Sequence, residues 1–156
     1  MGIIVSGFRG CGCSRLVADY GDKVRIFDAR GIGHDSVVSS VMSTINENDI
    51  VIISSDRSVR EAFNSENVDY DIFYPTKARR GEFLLNEVRK RSNPITIREL
   101  DGGFDRMVDE IEYDTSPACH KHVLSSEGEF IGNSEVIVRY LESIINGNNN
   151  NIKQTD

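Results

Sequence analysis

The sequence predicts an α/β fold, a three-layer sandwich in which a five-stranded parallel sheet carries helices on both faces. Three observations predict it. Five short strand-like runs alternate with segments of helical periodicity along 156 residues, the pattern of parallel strands joined by crossover helices. Two runs, Ile3-Ile4-Val5 and Ile50-Val51-Ile52-Ile53, are continuously β-branched, as strands covered on both faces are. The first run leads straight into a glycine-rich loop and then a helix.

In chain order, Ile3-Ile4-Val5 is the first strand, and Arg15-Leu16-Val17-Ala18-Asp19-Tyr20 opens the first helix. Residues 23–28 alternate polar and apolar and end on Asp28, which predicts strand two. Residues 29–34 contain Gly31 and Gly33 and read as a loop. Asp35 or Ser36 can cap a helix to about residue 46, with Val37, Val38, Val41, Met42 and Ile45 spaced as a buried face. Residues 50–53 are the third strand. Asp56 or Ser55 can cap a helix over 57–66 that turns Val59, Ala62 and Phe63 inward. Tyr70-Asp71-Ile72-Phe73-Tyr74 is the fourth strand, stopped by Pro75. A basic segment, 76–81, precedes a charged helix over 82–91. Pro94 suits the first turn of another helix. Asp101-Gly102-Gly103 is expected to break it, and Phe104, Met107, Val108 and Ile111 then form the stripe of the next. Residues 119–124 make the last strand. Asn133 or Ser134 caps a final helix through Val136, Ile137, Tyr140, Leu141 and Ile144. Residues 1–146 thus form one domain, and the asparagine-rich 147–156 read as a disordered tail.

Composition narrows the function classes. Hydrophobic and charged shares of 38% and 28% are ordinary for a globular domain. No apolar run nears the roughly 20 residues of a membrane span, and the N-terminus lacks the basic start of a secretory signal. The expected setting is the cytoplasm, with no membrane partner. A net charge of −7 argues against a general nucleic-acid-binding surface but allows a small molecule in a local basic pocket. Three cysteines make no disulfide framework. A homodimer is compatible with this surface.

The chemistry gathers at one rim, because ligands of parallel sheets sit beyond the carboxyl ends of the strands. Residues 7–14, Gly-Phe-Arg-Gly-Cys-Gly-Cys-Ser, match the phosphate-binding loop G-x-x-x-x-G-K-[ST], except that Cys13 replaces the lysine. Gly7, Gly10 and Gly12 let the backbone turn its N–H groups inward on an anion, and the helix start adds its positive end. The expected phosphate contacts are Gly7, Arg9, Gly10, Cys11, Gly12, Cys13, Ser14 and Arg15, with Arg9 or Arg15 in reach of the lysine's role. Ser14 and Asp56 are the expected magnesium ligands. Asp28 can bind magnesium through water, hold a substrate hydroxyl, or end its strand as a turn former. Lys77, Arg79 and Arg80 are expected in a mobile lid that clamps phosphates during transfer, a solvated loop being the plain alternative.

The sequence resembles the small P-loop nucleotide kinases, especially the compact nucleoside-monophosphate-kinase-like proteins of bacteriophages. The matching pieces are residues 3–14, Asp28, Ile50-Val51-Ile52-Ile53-Ser54-Ser55 with Val59-Arg60-Glu61-Ala62, Tyr74-Pro75, Phe104-Asp105, and His122-Val123-Leu124 before Gly128-Glu129. The loop is the specific motif among them. The resemblance implies a P-loop NTPase-like fold, a nucleoside triphosphate such as ATP with Mg²⁺ at the loop, a monophosphate acceptor near strands two and three, and lid arginines on the transferring group. It also implies the cytoplasm of a phage's host.

Cys13 departs from that pattern. Loss of one such cation costs on the order of 10²–10³ in rate, and the thiol is expected to be neutral or at most partly anionic, since a helix N-terminus lowers its pKa. A weak kinase or a nucleotide-binding pseudoenzyme is therefore expected, with a nucleotide-sequestering or host-contacting module as the alternative. Two minor readings remain. Cys11, Cys13, Cys119, His120 and His122 could bind zinc if the first and last strands were neighbours, His120 and His122 otherwise standing on alternate faces of their strand. An exposed Cys13 could be redox-active.

Overall fold

The computed structural model describes the backbone of residues 2–154 and the side chains of residues 2–147. Its centre is a five-stranded, all-parallel sheet in the order β2-β3-β1-β4-β5. β1 (Ile3–Gly7) lies between β3 (Ile50–Ile53) and β4 (Tyr70–Pro75), with β2 (Ile26–Asp28) and β5 (Cys119–Leu124) as the edges. Ile3 pairs with Ile50 and Ser6 with Ile53, while Gly7 pairs with Phe73 on the other side. All four residues of β3 are buried, as its uninterrupted β-branched run requires.

The chain leaves β1 toward β2 on one side, and later crosses from β3 over β1 to β4. Right-handed crossovers place the intervening helices α1 (Cys13–Tyr20) and α3 (Arg57–Ser65) on opposite faces. Contacts agree. On the face carrying Gly7, a Cβ at that position would meet Cys13 of α1 and Ile131, just ahead of α6 (Glu135–Gln154). On the other face, Phe63 of α3 packs edge-on against Tyr70, with centroids 5.9 Å apart. α2 (Val37–Thr44), packed on α3, and α5 (Pro94–Glu112) share that second face. The architecture fits a three-layer sandwich. No helix among the described residues is long and apolar enough to cross a membrane.

Several expected elements are corrected. β2 starts at Ile26, because the N–H groups of Lys23 and Val24 turn back to the Tyr20 carbonyl and close α1. Met42, expected inside, is 46% exposed. The basic segment 76–81 is no loop: a 3₁₀ turn, Lys77–Arg79, runs directly into α4 (Arg80–Arg89). The break expected at Gly102-Gly103 does not occur. α5 continues for 19 residues, because Leu100, Gly103, Phe104, Val108 and Ile111 bury one continuous stripe and packing outweighs glycine's poor helix propensity. The backbone of α6 is helical to Gln154, and the disorder expected over 147–156 falls almost wholly on residues whose side chains lie outside those described.

Candidate functional site

The loop between β1 and α1 borders a cavity of about 1040 Å³ at the carboxyl end of the sheet. Two of its glycines are obligatory. Gly10 (φ +88°) and Gly12 (φ +96°) adopt the left-handed conformation, which costs a side-chain-bearing residue roughly 1–2 kcal/mol. These turns leave donors free. Among the described residues, the N–H groups of Gly10, Gly12, Cys13 and Ser14 donate to no protein acceptor. They lie at the start of α1, where the helix dipole favours an anion. The loop is also anchored: Phe8 N–H donates to the Phe73 carbonyl at 2.9 Å, and Ile131 N–H donates to the Cys11 carbonyl at 2.9 Å.

Cys13 is not the exposed, partly ionised thiol expected of a helix start. It is 7% exposed, and its sulfur lies 2.5 Å from where a Gly7 Cβ would stand. Burial pushes the thiol up to about 11; the Arg30 charge draws it slightly down and Asp28 slightly up. Cys11 is fully buried, and burial holds it well above the ordinary thiol range too. Its thiol donates to the Phe73 carbonyl at 3.6 Å. Both are neutral at pH 7, which removes the expected repulsion of phosphate and the redox reading of Cys13.

Beside Cys13 stands a residue the sequence reading missed. Arg30, just past β2, lines the cavity and grips Asp28 in a fork: Nε donates to Oδ1 at 2.9 Å and Nη2 to Oδ2 at 2.7 Å. Nη2 also donates to the Ser14 hydroxyl at 3.2 Å. The fork holds the Asp28 carboxyl below its ordinary range and raises Arg30. Asp28 therefore faces Arg30 and does not itself line the cavity. An acid ending β2 with a cation two residues on was the signal available in the sequence.

This arrangement bears on magnesium. The hydroxyl of Ser14 already accepts from a cation, and both oxygens of Asp28 are engaged. Asp56 lines the cavity and is exposed, its side chain capping nothing in α3. It is one carboxylate alone. Among the described residues no three His, Cys, Asp or Glu side chains gather as metal ligands. The residues at Ser14 fit a divalent ion poorly.

Nor does the structure bring Lys77, Arg79 and Arg80 to the cavity. Lys77 pairs with Asp109 at 2.6 Å and Arg80 pairs with Asp101, both on α5. Arg79 is buried, with its side chain 4% exposed. Its Nη1 donates to the carbonyls of Leu124 and Glu129 at 3.0 and 2.7 Å, and Nε and Nη2 hold Glu82 at 3.0 and 2.6 Å. It fastens the β5–α6 connection, whose Phe130 would lie 3.4 Å from a Cβ on Gly12. That is a scaffold role. The cations of α4 that do reach the cavity are Arg89 and Lys90, with Asn86. Positions 86, 89 and 90 share one helix face, Arg89 and Lys90 lying roughly 14 Å along the axis from Arg80. Arg9 and Arg15 line the cavity as expected, Arg15 pairing with Asp19 at 3.5 Å. Five cations thus face two carboxylates, Asp19 and Asp56, a positive concavity in an acidic chain.

The Cys/His cluster does not assemble. β4 separates β1 from β5, and His120 and His122, two apart on one strand, share a face. His122 Nε2 lies 2.7 Å from Asp71 Oδ1 and its ring stacks on Phe73 at 4.7 Å; His120 lies 3.4 Å from Asp69. No protein-family model and no curated protein matches the chain, so the site is interpreted on its own chemistry.

Proposed function

We propose that the chain is a nucleotide-binding protein of the P-loop kinase type, holding the phosphates of a nucleotide at residues 7–14 and transferring phosphoryl groups weakly. One observation carries the proposal: Gly10, Gly12, Cys13 and Ser14, whose N–H groups donate to no protein acceptor among the described residues, line a cavity with five cations. Backbone donors of this kind favour a phosphate oxygen through both hydrogen bonding and the helix dipole. The parallel sheet supports the reading, since β1 has a neighbour on each side and its carboxyl end is where the connections diverge.

Weak transfer follows from what the loop lacks. A kinase stabilises charge that grows on the transferring group, and one missing electrostatic donor costs on the order of 10²–10³ in rate. Cys13 is neutral and turned under the loop. The cations expected as a lid are committed to α5 and to the β5–α6 connection. Calorimetric titration with ATP, ADP and nucleoside monophosphates should give dissociation constants in the micromolar to millimolar range. Absence of binding at millimolar ligand rejects the proposal. Turnover at the usual kinase rate of roughly 1–100 s⁻¹ rejects its weak-transfer half.

A further inference from the structure

We propose that this phosphate site works without a divalent metal, the Arg30 guanidinium supplying the positive charge at Cys13 and Ser14. The inference rests on the nucleotide reading above and specifies the form in which the ligand binds.

Arg30 has five N–H donors in a rigid fork. Nε and Nη2 are spent on Asp28 and Ser14. Among the described residues Nη1 donates to no protein group, and Arg30 borders the cavity beside the loop. One edge of the guanidinium is therefore braced and the other has donors to spare. Asp28 is a positioning residue here: its two-point grip fixes the plane of the guanidinium. The two donors left on Nη1 can each meet a phosphate oxygen, and the guanidinium keeps its charge whatever the pH. Magnesium at the Ser14 hydroxyl would instead have to break the contacts of Arg30 to Ser14 and Asp28, and would meet like charge if it did not. The ligand class is a nucleotide in its metal-free form, its phosphate oxygens accepting from loop N–H groups and from the Arg30 guanidinium.

The test is equilibrium dialysis of ADP and of inorganic phosphate against the full chain, in excess EDTA and in millimolar magnesium chloride. Wild-type affinity for ADP should agree within about twofold between the two buffers. Arg30→Ala should lose about tenfold or more in EDTA, the share of a charge-assisted contact. Because that variant frees Ser14 and Asp28, magnesium should restore part of its loss. Arg30→Lys, which keeps a charge but not the fork, should fall between the two in EDTA. Wild-type binding that tightens about tenfold or more on adding magnesium overturns the proposal, as does Arg30→Ala binding like wild type in EDTA. Absence of ADP and phosphate binding in either buffer, with circular dichroism showing the chain folded, rejects the nucleotide reading itself and the proposal with it.

Discussion

A buried thiol and an ammonium group meet opposite demands at position 13. An ammonium must remain hydrated or paired, whereas Cys13 packs at 7% exposure against Gly7 and Ile131. The two small residues are matched, because a methyl group on Gly7 would collide with the Cys13 sulfur. Such a site favours the neutral thiol, because burial penalises the thiolate. The ordinary value of 9.0 rises to about 11 in the folded chain, so the folded state holds the proton more tightly than the unfolded one. The resulting stabilisation is complete below pH 9 and is lost as pH climbs from 9 to 11. Two pH units correspond to about 2–3 kcal/mol. Urea denaturation of wild type and Cys13→Ala across that window should show the wild-type advantage shrinking. A difference that stays constant from pH 8 to 11 would mean the thiol is hydrated and its place under the loop is wrong.

At the scale of elements, local pattern and long-range contact divide the chain between them. β3 is legible to the residue because a run of four β-branched side chains has few other ways to be buried. The loop is legible because its glycine spacing is itself the backbone geometry, with Gly10 and Gly12 at positive φ. Arg30 and Arg79 are legible only through their near partners, Asp28 two residues back and Glu82 three residues on. What gives them their place is distant: Ser14, 16 residues away, and Glu129, 50 residues away, and no periodicity records such distances. The basic run 77–80 looks like a lid in sequence, yet its acids, Asp101 and Asp109, stand on a later helix. α5 illustrates the same limit, since paired glycines signal a break that burial of a stripe running through Gly103 overrides. Gly102 is exposed within that helix, and a Cβ there would meet nothing within 4 Å. Gly102→Ala should therefore stabilise the protein by about 0.5–1 kcal/mol, through lower backbone entropy in the unfolded chain. Chemical denaturation reads this as a higher midpoint at unchanged slope. A lower midpoint would indicate that the helix is interrupted at 102–103 after all.

The whole molecule sets a contrast between a net negative charge and a positive concavity. The chain carries −7 overall, yet the cavity at the carboxyl rim is lined by Arg9, Arg15, Arg30, Arg89 and Lys90. They arrive from four parts of the fold: Arg9 from the loop, Arg15 from the first turn of α1, Arg30 from just past β2, and Arg89 and Lys90 from the end of α4. The parallel order brings Arg9, Arg15 and Arg30 to one rim, because each follows the carboxyl end of a strand, and the last turn of α4 adds Arg89 and Lys90 there. A positive concavity of this kind suits a small anion, while the net charge of −7 disfavours an extended polyanion. A nucleotide at a hundredfold excess over its dissociation constant adds about 2.7 kcal/mol to the folded state. For a domain of this size that raises the melting temperature by roughly 5–11 °C. Duplex or single-stranded DNA at equal phosphate concentration should leave the melting temperature unchanged at physiological salt. A comparable rise with the oligonucleotide would show that phosphate is recognised along a surface, and the enclosed rim would no longer explain what the protein binds.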